Sequence, residues 1–162
     1  MIAGKKQPMP GSGGATAPPS RVTVFARGFV AAPGTVRAVL IEMTDRLGPH
    51  VSPDLLGRAE LALAELLNNV ALHGRTPGAG TPPMVHLSVV AQPDGLGCSV
   101  SDDGGLLPHV CLDSTGPDPL THPEGGFGWF LIGHLAQSLV YFRERNRNFV
   151  AFTIPLQPPR PD

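Results

Sequence analysis

The chain has 162 residues, of which 41% are hydrophobic, and its formal net charge is −1. This length and apolar content suit one domain with its own core, and the near-neutral charge disfavours direct binding of nucleic acid, which needs a dense positive field. The sequence contains no run of about 18 apolar residues, so we expect no contact with a membrane and a cytoplasmic protein.

Both ends of the chain are rich in proline. Residues 1–20 show no apolar periodicity and lack the apolar stretch of a signal peptide, so we expect a disordered tail there. Residues 157–162 are expected to fray, which leaves a folded domain over residues 21–156. The two cysteines are too few for a disulfide framework, and we expect a buried thiol at Cys98 and a loop thiol at Cys111.

Between these ends, the hydrophobic pattern changes repeatedly between the period of a strand and the period of a helix. β-Branched and aromatic runs predict the strands, and apolar residues three or four positions apart predict the helices. The predicted elements are a strand at 22–30, helices at 35–47 and 53–73, strands at 84–91 and 97–101, a helix at 127–135, and strands at 138–143 and 149–154. Runs of adjacent strands favour a mixed, mostly antiparallel sheet with helices on one face, which is a two-layer α+β sandwich.

The second predicted helix carries a narrow polar row. Glu65, Asn69 and His73 follow each other at steps of four residues, so they share one stripe of the helix. Leu61 and Leu72 flank this row, which suggests a second covered surface such as a pocket wall. A carboxylate beside a carboxamide can ligate a hard cation and orient a hydroxyl. The same residues also fit an ordinary surface pair with a histidine that complements the helix dipole.

Two glycine-containing segments follow the polar row. Asp102 and Asp103 end a predicted strand and are followed by Gly104, where the backbone can approach a flat ligand closely, although Asp and Gly are also common in plain turns. Residues 124–128, Glu-Gly-Gly-Phe-Gly, lead into an apolar helix, and helix N-termini bind phosphate. This second segment is neither a Walker A motif nor a Rossmann fingerprint, because the lysine and the βαβ context of those motifs are absent.

The order of these three features resembles the N, G1 and G2 boxes of the GHKL superfamily of ATP-binding proteins, which have the Bergerat fold. Within that superfamily the chain most resembles the anti-sigma-factor serine/threonine kinases, in whose N box Glu, Asn and His recur every fourth residue. Residues 64–74 match that box, and residues 143–148 before the last strand are also similar. The resemblance covers about residues 20–156.

The resemblance implies a role for each candidate residue. Glu65 would be the general base for a target hydroxyl, and Asn69 would ligate the Mg²⁺ that bridges the phosphates of ATP. Asp102 would accept a hydrogen bond from the adenine amine, with Gly104 opening the turn beside it, and His73 would complete the nucleotide-binding set. Backbone N–H groups would hold the phosphates at Gly126, Phe127 and Gly128. Residues 105–125 would form a lid over ATP, although Leu106 and Leu107 replace a glycine that is often found at the hinge.

The resemblance also implies partners. The protein would bind a sigma factor or a similar client, would phosphorylate a serine or threonine of an antagonist (anti-anti-sigma) domain, and would form a homodimer. Two alternatives stay open, namely a non-catalytic module whose nucleotide controls partner binding and a detached ATPase that transfers phosphate to water. Glu65 favours the enzyme, since a general base is needed only for chemistry.

Overall fold

The structure, a computed structural model, describes residues 22–75, 80–106 and 127–158. Every predicted helix and strand is present, and no end differs from its predicted position by more than two residues. In chain order the elements are β1 (Val24–Val30), α1 (Pro33–Leu47), α2 (Pro53–His73), β2 (Met84–Gln92), β3 (Gly95–Asp102), α3 (Phe127–Leu135), β4 (Gln137–Glu144) and β5 (Arg147–Pro155). The tail predicted at residues 1–20 lies outside the described residues, as does most of the one predicted at 157–162.

The helices begin where local side chains can satisfy the free backbone groups of a first turn. α2 starts after Ser52, whose hydroxyl accepts a hydrogen bond from the Leu55 N–H at 3.4 Å. α1 begins two residues earlier than predicted, because Pro33 is tolerated in a first turn that needs no N–H from it. The Thr35 hydroxyl accepts from the Ala32 N–H at 3.0 Å and thereby stabilises that start. None of the helices in the described ranges is long and apolar enough to cross a membrane.

The five strands form one sheet in the order β1-β2-β3-β5-β4, and all four pairings between described strands are antiparallel. β3 and β5 are therefore direct neighbours, although α3 and β4 separate them in the sequence. This arrangement sets the end of β3 opposite the start of β5, with Asp102 paired to Asn148.

One face of the sheet forms the core with the helices. Phe25, Val89, Cys98 and Phe152 make a continuous row across β1, β2, β3 and β5, and none is more than 2% exposed. α2 packs against β3 and β5 from this side and also contacts α1 and α3. The two-layer α+β sandwich is thus confirmed. The buried thiol predicted at Cys98 is confirmed too, and burial raises its pKa to about 12; Cys111 lies outside the described residues.

Candidate functional site

A buried acid ends the central strand. The alternation of β3 directs Cys98, Val100 and Asp102 to the helix-covered side, so the Asp102 carboxylate continues an apolar row and the residue is only 1% exposed. Its Oδ1 accepts two hydrogen bonds, from the Gly104 N–H at 2.9 Å and from Asn148 Nδ2 at 3.0 Å. No residue in the described ranges bonds to Oδ2, so this second oxygen keeps its capacity to accept from a ligand.

The environment of Asp102 changes its acidity in two opposing ways. Burial raises the pKa of the Asp102 carboxyl above its ordinary value, because an ionised group loses its hydration. The hydrogen bonds from Asn148 and Gly104 act in the opposite direction, the neighbouring Asp103 adds to the increase, and Arg143 reduces it. The pKa is raised overall, which is common for carboxylates at functional sites.

The turn after Asp102 lies directly against the end of α2. A Cβ added at Gly104 would lie 2.4 Å from the carbonyl oxygen of Gly74, which is closer than any side chain could fit. The next residue, Gly105, donates its N–H to the same carbonyl at 2.8 Å. The sequence predicts that the backbone here approaches a ligand, which stays a prediction; the close approach in the structure is to Gly74, and it joins the turn to the end of the helix that carries the polar row.

The polar row of α2 is only partly accessible. Glu65 and Asn69 are half-buried, whereas His73, in the last turn, is exposed. Leu61 and Leu72 are 45% and 65% exposed, so the second covered surface that they suggested is not formed by the described residues. The contact with the turn at Gly104 is made by the end of α2, so His73 is the member of the row that lies nearest to it along the helix.

The predicted phosphate-binding segment is described in part. Phe127 and Gly128 are the first two residues of α3, which confirms the predicted helix start, and the N–H groups of a first helical turn have no partner within the helix. α3 packs against α2, so the two helices that carry predicted site residues are in contact. Gly126 and nearly all of the predicted lid, residues 105–125, lie outside the described residues.

Sequence reasoning missed a polar cluster on β4 and β5. Asn148 is fully buried and bonds to Asp102, while Tyr141 and Arg143 bond to Asn148 from β4. A signal was present in the sequence, because Asn148 falls on the same alternating face as the buried residues Val150, Phe152 and Ile154. A buried polar residue in phase with an apolar strand face indicates a partner across the sheet.

The opposite face of the sheet has its own shallow depression of about 690 Å³. Its lining includes His86, small side chains from four strands, and Phe142 and Phe149, whose stacked rings have centroids 4.8 Å apart. Asp102 and Asn148 face away from it, because alternate residues of a strand point to opposite sides. The depression is therefore separate from the candidate site.

The chain folds as a two-layer α+β domain. A buried acid ends its central strand, and the glycine turn after that acid packs on a helix that carries a polar row. This is the arrangement of a GHKL-type nucleotide-binding domain. The sequence model of the histidine kinase-like ATPase domain family matches residues 29–154. The chain therefore belongs to that family of ATP-binding domains. No curated protein matches the chain.

Proposed function

We propose that this protein is an ATP-dependent serine/threonine kinase of the anti-sigma-factor type. It would phosphorylate a hydroxyl of an antagonist domain and would bind a sigma factor or a similar client as its regulatory output. The observation that carries the proposal is the contact of Gly104 with Gly74, which brings the adenine-binding turn to the helix of Glu65 and Asn69. In this proposal a base, a candidate metal ligand and a nucleotide-reading acid would contribute to one site.

Asp102 fits an adenine base. Its Oδ1 is saturated by two donors, and Oδ2 can accept from the exocyclic amine of the base. The Gly74 carbonyl fills the space beside Gly104. However, a Cβ added at Gly105 would meet, among the described residues, only the Arg75 carbonyl oxygen at 3.9 Å, so a base can lie close to the backbone there. A 6-keto purine would present an acceptor to the same carboxylate, which gives a physical basis for preferring ATP over GTP.

Asn69 fits the role of a Mg²⁺ ligand on the protein side. Its carboxamide oxygen is a hard donor on a half-buried part of α2. In the described ranges, no group of three or more His, Cys, Asp or Glu residues is placed to hold a metal ion. A nucleotide-bound Mg²⁺ needs only one or two protein ligands, because phosphates and water complete its shell. When bound, the ion would neutralise charge on the phosphates.

Glu65 fits the role of a general base. It lies one helical turn before Asn69, and both side chains are half-buried. In the proposed step the serine hydroxyl gives its proton to Glu65, its oxygen bonds to the γ-phosphorus, and the bond from that phosphorus to the leaving oxygen of ADP breaks. A positioned base of this kind contributes roughly 10²–10⁴-fold to a rate.

The test separates chemistry from binding in two variants. Glu65→Gln is expected to reduce single-turnover transfer from γ-labelled ATP to the products of neighbouring genes by about 10²–10⁴-fold while nucleotide affinity stays within a few-fold. Asn69→Ala is expected to reduce both affinity for Mg-ATP and transfer, because it removes a metal ligand. Glu60→Gln and Asn68→Ala, on the same helix, are matched controls that should leave both quantities near wild type.

Transfer by Glu65→Gln at the wild-type rate would exclude Glu65 as the base. If the wild-type protein binds ATP and a client but phosphorylates no candidate, the protein is the non-catalytic binding module instead. Release of phosphate to water, with none on protein, would indicate the ATPase alternative.

A cytoplasmic homodimer is part of the same proposal. Among the described strands β1 lies at one edge of the sheet, and Val24 and Val30 on it are 51% and 40% exposed, so a partner subunit has apolar surface to cover there. A monomeric mass in light scattering at working concentration would refute the dimer without affecting the kinase.

A further inference from the structure

The side chain of Asn148 uses its full hydrogen-bonding capacity. Its Nδ2 donates to Asp102 Oδ1 at 3.0 Å and to the carbonyl of Gly105 at 2.8 Å. Its Oδ1 accepts from the Tyr141 hydroxyl at 2.9 Å and from Arg143 Nη1 at 2.8 Å. An amide has two N–H donors and two acceptor lone pairs, so no polar capacity of this buried side chain is left over.

These four partners fix the orientation of the amide. A flipped Asn148 would direct its oxygen at the Asp102 carboxylate and the Gly105 carbonyl, and would direct its N–H groups at the Arg143 guanidinium. The contacts with Asp102, Gly105 and Arg143 would become repulsive in a buried position, where unmet polar groups are costly. The Tyr141 hydroxyl, in contrast, could accept from the flipped amide. Asn148 therefore presents a donor, and only a donor, to Asp102.

The same hairpin also holds the turn that follows Asp102. Arg143 Nη1 donates to the carbonyl of Gly104 at 2.9 Å, while Asn148 Nδ2 bonds to the carbonyl of Gly105. The turn is thus tied to β4 and β5 on one side and to the carbonyl of Gly74 on the other. Its position depends on residues that lie about 40 positions further along the chain.

We infer that Asn148, supported by Tyr141 and Arg143, is a positioning residue that makes the site select a purine with an amine at position 6, as in adenine, over one with a keto oxygen there, as in guanine. The inference rests on the proposed binding of adenine nucleotide at Asp102. By donating to Oδ1, Asn148 holds the carboxylate as an acceptor and leaves Oδ2 for the amine. Without that donor, Asp102 can rotate or take up a proton, and a protonated carboxyl can donate to the keto oxygen of guanine.

The ratio of the affinities for ATP and GTP therefore tests the inference. In Asn148→Ala the preference for ATP over GTP is expected to fall about 3- to 10-fold, the net effect of one hydrogen bond on an equilibrium. Tyr141→Phe, which removes one support of the amide and leaves Asn148 in place, is expected to change the ratio in the same direction and by less. The ratio cancels a general loss of folded protein, which lowers binding of both nucleotides equally.

The pH dependence of ATP affinity gives the second readout. The charged groups that act on Asp102 are Asp103 at its own strand end and Arg143 from β4, and the ionisable residue of α2 next to the Gly74 contact is the exposed His73. The titrations are therefore made in parallel with His73 present and in a His73→Gln background, so that a contribution of His73 to binding or to its pH dependence is measured separately. Loss of the Asn148 donor is expected to move the acid limb of ATP binding to higher pH, because the donor favours the ionised carboxylate.

The matched control is Asn146→Gly, an exposed position in the turn of the same hairpin where glycine suits the φ of 62°. It should change neither the ratio nor the acid limb. A wild-type ratio and an unshifted acid limb in both Asn148→Ala and Tyr141→Phe would overturn the inference while leaving the proposed function intact. Absence of nucleotide binding by the wild-type protein at every pH would overturn both.

Discussion

Asp102 combines two properties that oppose each other. It is almost completely buried, which penalises its charge, yet the proposed contact with adenine requires that charge to be present. Asn148 and the Gly104 N–H compensate only in part, because the pKa of the Asp102 carboxyl remains raised. A residue that costs stability and serves a ligand is typical of binding sites.

The first consequence is that Asp102→Asn should stabilise the fold at neutral pH. The pKa of Asp102 in the folded state lies above its value in the unfolded state. Between these two pKa values the native state binds more protons than the unfolded state, so the free energy of unfolding falls as the pH rises through that range. The amide is isosteric and uncharged, and its oxygen can still accept from Gly104 and Asn148. Urea unfolding should show a more stable variant at about pH 7 and a smaller difference at about pH 4, near the ordinary pKa of aspartate.

The comparison for this measurement is Asp103→Asn, at the adjacent and exposed position. The Asp103 carboxylate accepts from the Met84 N–H at 2.7 Å, a bond that the oxygen of an asparagine can keep, and its charge is one of the lesser causes of the raised pKa of Asp102, so the stability difference from wild type should change less with pH than in Asp102→Asn. An Asp102→Asn protein that is less stable than wild type at neutral pH would mean that the burial cost is not the dominant effect.

Single residues were predictable from the sequence only where the signal was local. Asp102 could be identified because an acid followed by glycines ends a predicted strand. Asn148 could not be assigned a role, because its partners depend on the pairing of β3 with β5, which α3 and β4 separate in the chain. The alternation of β5 marks it as buried, but the alternation alone does not say which carboxylate it faces.

At the scale of elements, α2 organises the site through its C-terminal end. Its bounds follow from local chemistry, with a serine cap before Pro53 and an end at His73 before a glycine. Its contact with the turn at Gly104 is tertiary and could be anticipated only as a general tolerance of glycine for close approach. In the structure the group that lies against Gly104 is the carbonyl of Gly74.

Two glycine-to-alanine variants test this contact. Gly104→Ala places a methyl group 2.4 Å from the Gly74 carbonyl and 2.9 Å from Asp102 Oδ1. It should destabilise the fold by about 1–3 kcal/mol, the usual effect of overpacking, and should weaken nucleotide binding. Gly57→Ala, inside α2 with no atom within 4 Å of the new methyl group, should instead stabilise the fold.

The expected gain for Gly57→Ala is about 0.5–1 kcal/mol, because alanine loses less backbone entropy in a helix. Its nucleotide affinity should equal that of wild type. Thermal unfolding and calorimetric titration measure both effects, and equal nucleotide affinities for the two variants would show that the contact at Gly104 does not shape the site.

At the scale of the whole molecule, the two faces of the sheet are distinct. The helix-covered face carries the core and ends in Asp102 and Asn148, whereas the other face carries small side chains and the stacked Phe142 and Phe149. Element order and hydrophobic periodicity were enough to predict the two layers and the mostly antiparallel sheet. They could not predict the insertion of β5 between β3 and β4, because strand order depends on non-local pairing.

The central claim is that Asp102 makes this domain a site for adenine nucleotides. Calorimetric titration of Mg-ATP and Mg-GTP into wild type, Asp102→Asn and the control Asp103→Asn tests it most directly. We expect wild type and the control to prefer ATP, and Asp102→Asn to lose about 10- to 100-fold in ATP affinity, as a charge-assisted hydrogen bond is lost. Equal affinity of wild type for the two nucleotides, or an unchanged ATP affinity in Asp102→Asn, would contradict the claim.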